Sequence, residues 1–105
     1  MKKFILLILL SCFLSACASP YMVEEYEQGK YYFKKGNYKK AYEQLFPAAV
    51  CGNPEAQYAV GYLVYYGYGV DRDEVIGIFW IQKSAEHHYP RAIEALKKMR
   101  CHCHS

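Results

Sequence analysis

From Val23 onward, apolar residues recur at three- and four-residue spacing, and Gly, Pro and Asn break the pattern at regular intervals. The pattern predicts helices over about Val23–Lys35, Tyr38–Cys51, Pro54–Tyr66, Glu74–His87 and Pro90 to Met99 or Arg100. Gly36-Asn37 and Gly52-Asn53 stop the first two. Asn37, Asn53 and Asp73 each stand where a side-chain oxygen can accept from the free N–H groups of the next helix. Pro54 suits a first helical turn, where its missing N–H costs nothing. Gly67-Tyr68-Gly69-Val70-Asp71-Arg72 reads as a loop, because closely spaced glycines permit left-handed turns. Cys101-His102-Cys103-His104-Ser105 continues no packing pattern and reads as a tail.

The chain also matches itself at an offset of 36 residues. Tyr26 falls on Tyr62, Asn37 on Asp73, Ala49 on Ala85, Pro54 on Pro90 and Ala56 on Ala92. Caps meet caps, prolines meet prolines and small residues meet small residues. A period of this size predicts helix pairs stacked as a solenoid. The expected fold class is all-α, a short solenoid of antiparallel helix pairs with about two repeats and a final helix.

The N-terminus follows a different rule. Lys2-Lys3 precede the apolar run Phe4–Leu10, and Leu14-Ser15-Ala16-Cys17 follows. A positive start, a short apolar core and small residues mark an export signal. The run falls short of the roughly 20 residues that span a bilayer. The expected organisation is a signal peptide over 1–16, a tether over 17–20, a helical domain over 21–100 and a Cys/His tail over 101–105. The 105 residues hold 13 Lys and Arg against 10 Asp and Glu, and losing Lys2 and Lys3 leaves 11 against 10. A nearly neutral domain lacks the basic footprint of nucleic-acid binding.

Leu14-Ser15-Ala16-Cys17 resembles the lipobox of bacterial lipoproteins. That resemblance implies cleavage before Cys17 and acyl chains on it, enough for stable anchoring. Ala18, rather than an aspartate, implies the outer membrane, with the domain on its periplasmic face. The other reading is an ordinary secretory cut elsewhere, with Cys17 a plain thiol.

Residues 56–96 resemble the Sel-one-like repeat, a relative of the tetratricopeptide repeat. Ala56, Gly61, Gly67, Gly69, Val70, Asp73, Trp80, Lys83, Ala85, Ala92 and Leu96 match its pattern in register. Ile76-Gly77 replaces its Lys-Ala, Ser84 its first paired Ala, and His88 its inter-repeat Gly. Residues 26–54 look like a degenerate preceding unit. Each match has a structural reading. Gly61 lets helices touch, Gly67 and Gly69 shape the loop, and Val70 tucks it inward. Asp73 caps, Trp80 fills the space between helices and is expected mostly buried, and Ala85 keeps a contact close. Gly77 weakens its helix by about 1 kcal/mol relative to Ala, yet permits a tight crossing.

The resemblance implies a scaffold that binds protein partners on the concave face of its first helices. Eleven of the twelve tyrosines lie between Tyr21 and Tyr68. Tyrosines dominate interfaces because they bury area at low entropy cost. Tyr31 and Tyr32 also lie on a first helix, but Tyr58, Tyr62, Tyr65 and Tyr66 are the expected partner-binding patch. Each also reads as core filler in place of Leu or Phe. Lys34, Lys35, Lys39 and Lys40 form a solvated hairpin tip or an anionic contact.

Beyond Cys12 and Cys17, the cysteines are Cys51, Cys101 and Cys103. A disulfide from Cys51 to the tail, a Cys101–Cys103 loop, an intermolecular bridge and free thiols all stay open. Cys101, His102, Cys103 and His104 are weak ligand candidates for zinc or Cu(I), spaced too tightly for an ordinary zinc site. They carry the alternative reading, a metal- or thiol-handling envelope protein. No nucleophile elbow, zinc-protease motif or phosphate loop occurs, so no catalysis and no cofactor is expected. So short a solenoid leaves end faces open, which suggests an oligomer or a larger assembly.

Overall fold

The computed structural model describes Cys17 and residues 20–103. The expected signal peptide lies outside the described residues. The described residues are all-helical, in chain order α1 (Pro20–Lys35), α2 (Tyr38–Val50), α3 (Pro54–Tyr66), α4 (Glu74–Glu86) and α5 (Pro90–Cys103). Each helix packs on the next, and α3 against α4 is the most extensive contact. The helices form the antiparallel pairs α1/α2 and α3/α4, followed by the final helix α5.

Local chemistry sets the boundaries. The Asn53 side chain accepts from the Ala56 N–H at 3.0 Å, and Asp73 from the Ile76 N–H at 2.9 Å. Asn37 accepts from the Lys40 N–H at a longer 3.5 Å. Gly67 ends α3 in the left-handed region, at φ 73°. Two boundaries differ from expectation. α1 starts at Pro20, inside the expected tether, and α5 runs on through Cys101, His102 and Cys103 instead of stopping at Arg100. With no Gly or Pro after Pro90, nothing in that stretch breaks a helix.

The main core lies between α2 and α3, where Ala41, Leu45, Ala48, Ala49, Ala56, Val60, Leu63 and Val64 are buried. A second cluster, Ile81, Ala92 and Met99, joins α4 to α5. The small residues bring the helix axes close, as ridges settle into grooves. Polar ties cross from α3 to α2 and from α4 to α3. Buried Gln57 donates from Nε2 to the Ala49 carbonyl at 3.1 Å, and Ser84 donates from Oγ to the Pro54 carbonyl at 2.6 Å. Val70 packs against the main core and Ala85 against the second cluster. Trp80 is partly buried against the main core, in keeping with the expected space-filling role. Its ring meets those of Phe46 and Phe79 in T-shaped contacts, with ring centres 5.8 and 5.5 Å away.

The 36-residue offset holds from α2 to α4 and from α3 to α5, where Ala56 and Ala92 are both fully buried, and fails from α1 to α3. A Cβ on Gly29 would strike Leu45, and one on Gly61 would strike Ile81. Leu45 and Ile81 are 36 residues apart, but Gly29 and Gly61 only 32. The α1–α2 connection spans residues 36–37, while the α3–α4 connection spans 67–73. Tyr26 is therefore the counterpart of Tyr58, not of Tyr62.

Candidate functional site: an aromatic groove on the first helices

α3 and α5 present opposing stripes at helical spacing. Tyr58, Tyr62, Tyr65 and Tyr66 come from α3, and Arg91, Glu94, Ala95, Lys98 and Met99 from α5. Between them lies a groove of about 300 Å³. A second groove of about 290 Å³ runs between α1 and α3 and shares Tyr58 and Arg91 with the first. Tyr58 and Arg91 thus stand on the ridge joining the two, and together the grooves cross all three first helices.

The rings touch in an unbroken run. Tyr89 meets Tyr58 at 5.6 Å, Tyr58 meets Tyr62 at 6.2 Å, and Tyr62 meets Tyr66 at 4.9 Å. Tyr66 stacks on Tyr68 at 5.7 Å, Tyr68 stacks on Tyr38 at 5.3 Å, and Phe33 closes back onto Tyr62 at 6.1 Å. Offset and edge contacts of this kind fix ring orientation. The Gly67–Val70 loop delivers Tyr68 to the row. A Cβ on Gly69 would collide with the backbone of Lys39, so the loop lies directly on the start of α2.

The electrostatics of the groove are mixed. Lys98 pairs with Glu94 at 3.2 Å, and Lys30 with Glu27 at 3.0 Å. Tyr26 donates its hydroxyl to Glu55. Burial raises the Tyr58 phenol above its ordinary value, with Arg91 partly opposing, and burial raises Tyr62 as well. Both phenols stay protonated at neutral pH, so the groove offers hydroxyl donors on an apolar floor.

The structure thus brings Tyr58, Tyr62, Tyr65 and Tyr66 to one groove. Tyr66 and Tyr68 are exposed, while Tyr58, Tyr62 and Tyr65 are half-buried, so these rings both pack and present a surface. The α5 side, Arg91 and Lys98 above all, was missed. Its signal was there, because residues 91, 94, 95, 98 and 99 repeat the three-and-four spacing of the α3 tyrosines. At the hairpin tip, Lys35 lies over the Tyr31 ring at 5.6 Å and Lys40 over Tyr32 at 5.3 Å. These contacts give the cluster a packing role. Among the described residues, no cluster of His, Cys, Asp and Glu could hold a metal. The side chains of Cys101, His102 and Cys103, and His104 entirely, lie outside them.

Cys51 pairs with Cys17 in a disulfide, with Cα atoms 5.4 Å apart, and not with the tail. Cys51 ends α2 beside the start of α1, whereas the tail leaves α5, which packs on α4. A sulfur in a disulfide cannot also carry a thioether, so this pairing and lipidation of Cys17 exclude one another.

The family model of the Sel1 repeat matches residues 12–44 and again residues 54–89, more than half of the chain. The chain belongs to the Sel1 repeat family. The second match spans α3, α4 and Tyr89, and the first ends within α2, earlier than the unit expected over 26–54. Sel1 repeat proteins generally mediate protein–protein interactions. Comparison with curated proteins and with solved structures gave no significant match.

Proposed function

We propose that this Sel1 repeat protein is an adaptor of the bacterial cell envelope that docks a protein segment in the groove between α3 and α5. The observation that carries the reading is the run of touching rings through Tyr58, Tyr62 and Tyr66, which faces Arg91 and Lys98 across the groove. Rigid aromatics beside a few charged groups give affinity from buried area and register from polar contacts.

The position in the envelope rests on the sequence. Lys2-Lys3, the apolar Phe4–Leu10 and Leu14-Ser15-Ala16-Cys17 support export and a lipid on Cys17, with the outer membrane as destination. No helix among the described residues is long and apolar enough to cross a membrane. In the anchored form Cys51 is then a thiol beside the anchor. The groove works by shape and polarity without bond-making chemistry.

Photocrosslinking in detergent-solubilised envelope tests the reading. A photoreactive residue at position 66 or 98 is expected to trap one protein species, while the same residue at exposed position 35 traps none. Tyr66→Ala and Arg91→Glu are expected to abolish the adduct formed from position 98 without lowering the melting temperature. An adduct that survives both substitutions removes the groove from the function.

A further inference from the structure

The second helices carry a surface that neither the core nor the groove uses. On α4, Val75 is 79% exposed, and Ile76 and Phe79 are exposed with it. On α2, Val50 is 61% exposed and Phe46 is exposed too. The surface is continuous across the pair. Tyr42 meets Phe46 at 5.4 Å, Phe46 meets Trp80 at 5.8 Å, and Trp80 meets Phe79 at 5.5 Å. Val50 extends the row one turn beyond Phe46, and Val75 and Ile76 extend it one turn before Phe79 and Trp80. Proteins in water keep contiguous apolar patches small, so an open one marks a contact.

The chain's own course says what covers it. Val50 is followed by Cys51, and Cys51 sits against Cys17. Cys17 also lines one cavity with Met22, Val23 and Ala48, so whatever is joined to Cys17 starts at the end of this face. Acyl chains on Cys17, or the apolar run Phe4–Leu10 that precedes it in the chain, would be attached at the edge of the patch. The chemistry of the face also suits a lipid interface. Aromatic rings and branched aliphatics sit at headgroup depth, and lysines lay their stems along apolar surface with the ammonium held outward. Lys83 does this over Phe79, with Nζ 5.2 Å from the ring centre. Glu43, Glu74 and Glu86 balance Lys39, Lys40 and Lys83 on the same two helices, so the contact is apolar first and depends little on lipid charge.

We propose that the α2–α4 face lies on the bilayer surface, with Val50, Val75, Ile76 and Phe79 among the headgroups. The groove, built from the other layer of helices, is left open to its partner. The inference takes from the proposed function only that the chain sits at a membrane, and it is independent of what the groove binds.

Trp80 is the chain's single tryptophan and reports on this face directly. The full chain, purified from membranes and reconstituted in phosphatidylcholine vesicles, is read with nitroxide quenchers near the headgroup or near the acyl terminus. Trp80 emission is expected to shift to the blue and to be quenched more by the shallow label. Val75→Asp with Phe79→Asp should abolish most of that quenching while the helical circular dichroism is unchanged. Tyr66→Ala should leave it intact. If the chain is not acylated, it is mixed with the same vesicles and the same quenching decides. An unquenched, red-emitting Trp80 in wild-type protein with vesicles overturns the proposal. So does a blue-shifted Trp80 without lipid in a species of twice the chain mass, which would assign the face to a second copy. The Asp variants are expected to keep the position-98 crosslink, so failure at one face is distinguishable from failure at the other.

Discussion

A Cβ placed on Gly61 of α3 would stand 2.7 Å from the carbonyl oxygen of Gly77 on α4, and one on Gly77 would stand 2.7 Å from the Cα of Tyr65. The two helices cross with backbone against backbone, and Tyr65 and Tyr66 reach the groove from this crossing.

Gly77→Ala is expected to destabilise the domain. Alanine gains about 1 kcal/mol of helix propensity over glycine. The new methyl meets main chain that cannot swing aside, and overpacking of that kind costs about 1–3 kcal/mol. The expected outcome is a net loss, seen as a melting temperature several degrees lower by circular dichroism. The outcome is notable because alanine is the residue of the Sel1 pattern here. A variant that melts higher than wild type would mean that the helices do not cross this closely.

His88 has φ 63°, and Gly52, 36 residues earlier, has φ 100° at the corresponding break before a helix. An L-residue held in the left-handed region costs roughly 1–2 kcal/mol. His88→Gly is therefore expected to stabilise the fold by about 1 kcal/mol, after the greater chain entropy of glycine is set against the relief. A urea titration that shows a higher midpoint at unchanged slope checks this.

Alkali should weaken the fold through its phenols. Burial and the hydrogen bond to Glu55 push Tyr26 well above the ordinary tyrosine value, and burial raises Tyr58 and Tyr62. A folded-state pKa above the unfolded one gives stability that is complete below about pH 10 and is lost as pH climbs toward the folded value. Urea midpoints are expected to hold through neutral pH and to fall above about pH 10. Tyr26→Phe should make that fall shallower. An equally steep fall in the variant would show that Tyr26 takes no part in it.

The Cys17 sulfur has one of two fates. In protein made by the cell's own export route, mass mapping without reductant should find acyl mass on the Cys17 peptide and Cys51 open to alkylation. A recovered Cys17–Cys51 cross-link would remove the lipid anchor from that residue. In protein made without acylation the pair is expected to close. Its 34-residue separation makes that bond worth about 3–4 kcal/mol of stability on the chain-entropy account. Reduction should then lower the urea midpoint markedly.

The sequence by itself determined what is local. Asn37, Asn53, Asp73, Pro54 and Gly67 mark helix ends because caps and turns are settled within a few residues of chain. The 36-residue period that carries α2 and α3 onto α4 and α5 was legible for the same reason, since the α2–α3 and α4–α5 connections have matching lengths. Only the tertiary structure decided the rest. It set Tyr58 opposite Arg91, moved the counterpart of Tyr26 to Tyr58, brought Cys17 to Cys51, and left Val75 and Phe79 open while burying Ile81. These relations depend on how closely one helix approaches another. That distance is set by side-chain volume across an interface, glycine against glycine at positions 61 and 77, and by no spacing along the chain.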